Sequence, residues 1–262
     1  MENNSLLDVQ HLSHMFHLKR KMTVKAIDDV SFQIKKGEIY GLVGESGSGK
    51  STVARCIMNI YKPSEGEIFY KGIPICKSKE FRKNRKMLQM TRQMIFQDSA
   101  SSLNPRMKIE DIVAEPLRIY SGKGRPGKKE IEKQLELVGL DRSYMEKYPC
   151  ELSGGQRQRV AIARALSTKP ELIVADEPIA SLDVSIQAQM VNLFRKLQKE
   201  QGFSFLFIAH DLSMVEFLCD RTGVMYHGKL VEEGRTQDIF AHPEHEYTKA
   251  LLAAVPIPDP RI

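Results

Sequence analysis

Residues 44–50, with the sequence GESGSGK, constrain the fold of this chain more than any other stretch. They lie between an apolar run at residues 39–43, typical of a buried strand, and residues 53–61, whose spacing predicts a helix. This context and the spacing of the glycines match the phosphate-binding loop, whose bare backbone N–H groups wrap a phosphate chain. Lys50 can then reach phosphate oxygens, and the Ser51 hydroxyl can ligate Mg²⁺. A simple glycine-rich turn is the alternative, but the flanking strand and helix favour phosphate binding.

A second apolar run, at residues 172–175, ends in the adjacent carboxylates Asp176 and Glu177. At the end of a strand beside the phosphate loop, Asp176 can hold the Mg²⁺ shell, and Glu177 can polarise water as a general base. An ordinary strand end with two solvated acids is the alternative interpretation. Together with the phosphate loop, the pair predicts a nucleoside triphosphatase.

Charge and composition limit the class of protein. The 262 residues carry a net charge of +6, which fits an anionic partner such as a nucleotide, a nucleic acid or a lipid headgroup. No apolar run reaches the ~18–20 residues that a membrane-spanning helix needs, and we expect no secretory signal. The four cysteines are far apart in the sequence, which favours buried thiols in a reducing cytosol over disulfides or a metal cage.

Apolar spacing predicts strands that alternate with helices, and therefore an α/β fold with a parallel sheet whose ligands gather at the carboxyl ends of the strands. Residues 6–12 and 24–34 predict an antiparallel β layer at the N-terminus. The basic run 77–92 predicts the solvated face of a helix. Residues 98–168 are predicted to be mostly helical and to form a separate lobe. Further strands are predicted at 66–72 and 203–209, a hairpin element at 228–234, helices at 108–120, 128–140, 157–166 and 186–197, and a loop at 121–129.

Residues 152–156 (LSGGQ), which end 20 positions before Asp176, resemble the signature sequence of ATP-binding cassette (ABC) ATPases. Ser153 and the two glycines after it open a helix, so a hydroxyl and bare N–H groups can face an anion. The resemblance implies a P-loop NTPase (RecA-like) core with an N-terminal antiparallel β layer and a helical subdomain. The core would comprise residues 1–97 and 169–262, and the signature subdomain about 98–168.

Other positions match the family in turn, so the resemblance covers essentially the whole chain. Gln97 resembles the Q-loop glutamine that contacts Mg²⁺ or water and reports to the membrane subunits. Residues 181–183 (SLD) resemble the D-loop that crosses the dimer interface, and His210 resembles the switch histidine that contacts the γ-phosphate. Phe16 is the candidate for stacking on adenine.

The resemblance thus implies a complete set of site residues, with ATP and Mg²⁺ as cofactors. The catalytic residues are Lys50, Gln97, Glu177 and His210. The magnesium ligands are Ser51, Gln97 and Asp176. The nucleotide is bound by Phe16, Gly44, Glu45, Ser46, Gly47, Ser48, Gly49, Lys50, Ser51, Thr52, Gln97, Asp176 and, across a dimer, by Ser153, Gly154, Gly155, Gln156 and Asp183.

Four segments narrow the resemblance to the oligopeptide, dipeptide and nickel importer branch, and within it to the second of two ATPase subunits. They are residues 96–107 (FQDSASSLNPRM), 114–117 (AEPL), 183–193 (DVSIQAQMVNL) and 242–260 (HPEHEYTKALLAAVPIPDP). The implied protein is an ATP hydrolase of the translocase class, peripheral at the cytoplasmic face of the cell membrane. Its implied partners are a second ATPase subunit of a different sequence, two transmembrane permease subunits and an extracellular substrate-binding protein, without nucleic acid.

Peptides are the first choice of cargo, and nickel or a metal chelate is the rival. Ser99 stands where many peptide ATPases have proline, a variation also met in nickel-type members. No cysteine follows Cys219, so we expect no iron–sulfur site of the kind that some relatives carry near the C-terminus. A soluble ABC ATPase that acts on DNA or ribosomes is a further alternative, which the basic charge supports and the lack of a long heptad run opposes. The cargo itself is not encoded here, because selection in such importers belongs to other subunits.

Overall fold

Strands and helices alternate along the chain, as the sequence predicts. The computed structural model describes residues 5–17, 23–97, 102–120 and 126–254; Ser99, residues 121–125 of the predicted loop and residues 255–260 of the tail lie outside them. The described strands are β1 (Ser5–His17), β2 (Thr23–Lys35), β3 (Ile39–Val43), β4 (Glu65–Tyr70), β5 (Ile73–Pro74), β6 (Arg92–Ile95), β7 (Leu172–Asp176), β8 (Ser204–Ala209), β9 (Arg221–Tyr226) and β10 (Lys229–Arg235). The described α-helices are α1 (Lys50–Ile57), α2 (Ser78–Thr91), α3 (Ile109–Tyr120), α4 (Lys128–Leu137), α5 (Gly154–Leu166), α6 (Val184–Gln201), α7 (Leu212–Leu218), α8 (Thr236–Ala241) and α9 (Glu246–Ala253).

The chain divides into two compact units. One comprises Met1–Cys76 and Leu206–Ile262, and the other is Lys77–Phe205. These boundaries differ from those of the core and signature subdomain in the sequence analysis, and that finer division stays a prediction.

An antiparallel sheet with the order β2-β1-β4-β5 opens the first unit, as predicted. Leu7 of β1 lies opposite Ile34 of β2, and all three of Leu7, Val9 and Ile34 are buried, because alternate residues of each strand point to one face. Strands β4 and β5 are joined by a two-residue turn, Lys71–Gly72, whose φ angles of +53° and +75° suit a tight hairpin.

The phosphate-loop sequence and the pair Asp176–Glu177 each lie at the end of a strand that has a parallel neighbour. In the first unit β3 pairs in parallel with β9, and in the second β6 pairs in parallel with β7. Every residue of β3 and β7 is buried, as expected of parallel strands that are covered on both faces. The phosphate-loop sequence follows β3 directly, and Asp176 is the last residue of β7.

Helix α1 ends earlier than the sequence predicts. The predicted helix continued to residue 61, whereas α1 ends at Ile57, and Asn59 adopts a left-handed conformation with φ +58°. The Asn59 side-chain amide donates a hydrogen bond of 2.9 Å to the carbonyl of Ile75. Asparagine tolerates this conformation better than most residues, and a distant carbonyl holds it there, so periodicity alone could not place the end of the helix.

Helices dominate the second unit. Helix α5 packs against α3 and α4. Most of the basic run forms α2, in which Leu88 alone is buried, so its interpretation as a solvated helix face is confirmed there. Arg92, the last residue of the run, is instead buried in β6. Among the described residues, no helix combines the length and the apolar character needed to cross a bilayer.

The four cysteines are free thiols in different environments, which predicts unequal reactivity. Burial raises the pKa of Cys56 to about 12 and that of Cys219 well above its ordinary value, whereas Cys150 is exposed. Because the thiolate is the reactive form, a pKa about three units higher lowers reactivity by roughly three orders of magnitude near pH 8. Maleimide labelling followed by mass spectrometry should modify Cys150 first and leave Cys56 and Cys219 protected.

Denaturant provides the control, since all four thiols should then react at similar rates. Labelling of Cys56 as fast as Cys150 in the folded protein would contradict this account of the core.

Candidate functional site

The loop after β3 turns back on itself before α1 begins at Lys50. Its glycines, Gly44, Gly47 and Gly49, have φ angles of +145°, +83° and +105°, all in the region that favours glycine. The Ser48 amide donates to the Glu45 carbonyl at 3.2 Å and closes the turn. The loop residues therefore adopt a conformation that few other sequences would permit.

Two of these glycines are also required by close packing within the chain. A Cβ on Gly44 would lie 2.1 Å from the Met225 carbonyl oxygen, and one on Gly49 would lie 2.4 Å from the Ala26 carbonyl oxygen. A Cβ on Gly47 would meet nothing within 4 Å among the described residues. Gly44 and Gly49 thus let the loop pack on β9 and β2, while Gly47 supplies the left-handed turn.

Lys50 places a buried cation under the loop. Its side chain is 3% exposed, and its Nζ donates to the carbonyls of Gly44 at 2.6 Å and Glu45 at 2.8 Å. A buried ammonium must be hydrogen-bonded to be tolerated, and these carbonyls supply the bonds. Ser51 and Thr52 follow in the first turn of α1, where the helix dipole favours an anion.

Phe16 belongs to an aromatic cluster at the end of β1. The centroid of its ring lies 4.7 Å from that of His14 and 5.5 Å from that of Tyr61, and both contacts are edge-on. The rings of His14 and Tyr61 are stacked on each other. Arg55 of α1 lies over Tyr61, with 5.7 Å between the guanidinium carbon and the ring centroid. The role of Phe16 in stacking on adenine stays a prediction.

In the second unit, Gln97 and Glu177 are 80 positions apart in the sequence and are hydrogen-bonded. The Gln97 side-chain amide donates to a Glu177 carboxylate oxygen at 2.9 Å. Glu177 has φ +46°, a left-handed conformation that costs a residue with a Cβ on the order of 1–2 kcal/mol. Such strain persists only where the surroundings enforce it, and it is enriched at functional sites. Asp176, immediately before it, is 3% exposed.

Ser153 caps helix α5 within the predicted signature. Its Oγ accepts from the Gln156 amide at 3.3 Å, and the Gln156 side-chain oxygen accepts from the Ser153 amide at 2.9 Å. This reciprocal capping box explains the serine and glutamine in structural terms. A Cβ on Gly155 would lie 3.0 Å from a methyl of Ile186, so this glycine also lets α5 approach α6 closely.

The D-loop and switch positions lie at the starts of helices. Asp183 is the N-terminal cap residue of α6, and its carbonyl accepts from the Gln187 amide at 2.9 Å. His210 is exposed and follows β8, while the next residue, Asp211, caps α7 by accepting from the Ser213 amide at 2.9 Å. The catalytic and binding roles of these residues stay predictions.

Tyr247 contacts the loop at residues 44–50, which the sequence did not predict. Its hydroxyl oxygen accepts a 2.9 Å hydrogen bond from the Glu45 amide, across 202 positions of sequence. Tyr247 lies in the segment 242–260, which resembles the peptide importer branch. No spacing rule connects a tyrosine in a C-terminal helix to this loop, so the sequence offered no local signal for the contact.

Comparison with known proteins identifies the family. The sequence model described as "ABC transporter" matches residues 27–180, and that described as "Oligopeptide/dipeptide transporter, C-terminal region" matches residues 231–262. The oligopeptide transport ATP-binding protein OppF of Bacillus subtilis is 53% identical, over 97% of this chain and 84% of its own length. The dipeptide transport ATP-binding protein DppF of Lactococcus lactis is 47% identical, over 99% and 84% respectively.

Solved structures match most of this chain. A dimeric ATP-binding cassette in a post-hydrolysis state, bound to ADP and phosphate, superposes with a TM-score of 0.78 at 28% identity, covering 88% of this chain and 98% of that one. The cbiO1 protein of Clostridium perfringens, part of an ABC transporter complex, gives a TM-score of 0.76 at 27% identity, covering 92% of each chain.

The expected ABC ATPase fold is confirmed by these matches, as is the expected activity of a transporter ATP hydrolase. They favour the importer interpretation over a soluble ATPase that acts on DNA or ribosomes. The chain therefore belongs to the ABC transporter family and, within it, to the ATP-binding proteins of oligopeptide and dipeptide transport.

Proposed function

We propose that this protein binds and hydrolyses ATP at residues 44–52 to power the import of oligopeptides or dipeptides. The observation that carries the proposal is the loop after β3, in which left-handed glycines and the buried Lys50 ammonium precede a helix N-terminus. Backbone N–H groups in such a loop bind phosphate oxygens, and the lysine adds a positive charge that the β- and γ-phosphates can reach. Phe16 would stack on the adenine ring.

Glu177 would act as the general base for hydrolysis. Phosphoryl transfer to water needs positioning and charge stabilisation more than covalent chemistry. The hydrogen bond from the Gln97 amide nitrogen orients the Glu177 carboxylate, and it leaves the Gln97 amide oxygen as the atom that can contact Mg²⁺ or water. His210 would contact the γ-phosphate.

The proposed magnesium ligands fit the chemistry of that ion. The Ser51 hydroxyl, the Asp176 carboxylate and the Gln97 amide supply the hard oxygen atoms that Mg²⁺ prefers. Asp176 is buried at the end of β7, where a carboxylate must be hydrogen-bonded or paired with a cation. Bound Mg²⁺ would neutralise charge that develops on the phosphate oxygens.

The working assembly would contain two ATPase subunits, this chain and a different paralogue. Each nucleotide would lie between the phosphate loop of one subunit and residues 153–156 of the other, with Asp183 at the interface. ATP would favour the closed dimer because it contacts both subunits only in that state, and hydrolysis would release them. Two transmembrane permease subunits and an extracellular binding protein complete the system, which places this chain at the cytoplasmic face of the membrane.

Peptide cargo is favoured over nickel because several of the similar proteins are named for oligopeptide or dipeptide transport. Co-expression with candidate permease and binding-protein subunits should give ATP-dependent uptake of labelled peptides into proteoliposomes. Uptake of nickel instead of peptides would favour the alternative cargo. Co-purification with ribosomes or DNA, and not with membrane subunits, would reject the importer assignment.

Replacing the proposed base tests the hydrolysis step. Glu177→Gln should lower steady-state turnover of the assembled transporter by at least about a hundredfold while ATP binding persists, because the amide cannot accept a proton from water. Glu200→Gln, an exposed position on α6, is the matched control and should hydrolyse ATP at the wild-type rate. Undiminished turnover of Glu177→Gln would remove Glu177 from the mechanism.

Replacing the buried lysine tests the phosphate site. Lys50→Ala should weaken binding of Mg²⁺-ATP at least tenfold and reduce turnover, because a charge directed at the phosphates is lost. Calorimetric titration measures the affinity, and thermal unfolding shows whether the variant is folded. Lys62→Ala, at an exposed lysine, should bind as the wild type does. A folded Lys50→Ala protein with unchanged affinity would argue against phosphate binding at this loop.

A further inference from the structure

The C-terminal helix α9 reaches the phosphate loop through one side chain, Tyr247. Its hydroxyl accepts from the Glu45 amide at 2.9 Å. The same peptide group, which joins Gly44 to Glu45, presents its carbonyl oxygen to the Lys50 ammonium at 2.6 Å. Because a peptide group is planar, fixing its N–H also fixes the direction of its carbonyl. Tyr247 and Lys50 therefore hold opposite edges of one peptide group at the start of the loop.

Tyr247 itself is firmly held. Its ring stacks on Tyr226 at the end of β9, with 4.1 Å between centroids and 28° between planes. Glu232 of β10 accepts hydrogen bonds from the backbone amides of Glu244 and His245, at 2.9 and 3.0 Å, and so fixes the entry to α9. Burial by itself raises the pKa of Glu232, but the hydrogen bond from the Glu244 amide, together with the effects of Thr248 and His245, outweighs it and lowers the pKa. The carboxylate is thus charged and bonded when the helix is docked.

The turn between β9 and β10 holds the other side of the loop. The Gly228 amide donates to the Ser48 carbonyl at 3.0 Å, and the Gly228 carbonyl accepts from the Asp28 amide at 2.8 Å. The loop is therefore hydrogen-bonded to α9 at Glu45 and to the turn between β9 and β10 at Ser48. Both hydrogen-bonding partners belong to the part of the chain after residue 225.

We propose that Tyr247 is a positioning residue for nucleotide binding, which orders the start of the phosphate loop through the Glu45 amide. This inference rests on the proposed role of residues 44–52. A glycine-rich loop loses much conformational freedom when it closes on phosphate, so a contact that orders it beforehand strengthens binding. The hydroxyl of Tyr247 supplies such a contact at the Glu45 amide.

Tyr247→Phe removes the hydroxyl and keeps the ring that stacks on Tyr226. We expect the affinity of the purified chain for a slowly hydrolysed Mg²⁺-ATP analogue to fall about three- to tenfold, the effect of one lost hydrogen bond. Hydrogen exchange should quicken in the peptide that covers residues 44–49, while exchange in β1 and the thermal midpoint stay as in the wild type. A residue that merely stabilised the fold would instead change the midpoint and the exchange throughout its unit.

Tyr120→Phe is the matched control, at the last residue of α3, and should leave both affinity and exchange at 44–49 unchanged. Wild-type affinity in Tyr247→Phe, or a loss that only parallels a lower thermal midpoint, would overturn the inference. Lys50→Ala distinguishes a failure of the phosphate site from a failure of the role of Tyr247. If Lys50→Ala abolishes binding and Tyr247→Phe binds normally, the phosphate site stands and the role of Tyr247 fails; if a folded Lys50→Ala protein binds normally, both fail.

Discussion

The phosphate loop depends on the solvation of one buried ammonium by main-chain carbonyls. Lys50 is almost fully buried, and the carbonyls of Gly44 and Glu45 take the place of water around its charge. Peptide carbonyl and N–H groups point in opposite directions, so carbonyls directed at the lysine set the direction of the adjoining N–H groups. The cation thus shapes the loop as well as supplying charge. Close packing on β9 and β2 is a second requirement, because the carbonyl oxygens of Met225 and Ala26 leave no room for Cβ atoms at Gly44 and Gly49.

The sequence could predict the features that depend on neighbours along the chain. The strand at residues 39–43, the loop and the start of a helix all lie within about twenty positions, and local spacing encodes each of them. The resemblance to ABC ATPases then supplied candidates that spacing could not, such as Gln97. The bond between Gln97 and Glu177 agrees with that resemblance, although it does not by itself test their chemistry.

The features that the sequence could not predict depend on contacts between distant segments. Helix α1 ends at Ile57 because Asn59 is bound to a carbonyl in another part of the unit, and Tyr247 reaches Glu45 across 202 positions. The glycines of the signature have a comparable explanation. Their residue type suggests an anion site, but Gly155 also allows close approach to Ile186, a packing role that only the arrangement of α5 and α6 reveals.

The capping box of α5 has a consequence for which residue can begin that helix. The Ser153 oxygen accepts from the Gln156 amide, and a hydroxyl that accepts in this way still has its own proton to donate. A serine can therefore keep the helix end intact and simultaneously offer a donor to an oxyanion. Aspartate caps helices equally well, but its negative charge would repel such a group and it has no proton to give. For the proposed anion site, electroneutrality rather than capping strength would favour serine over aspartate at this position.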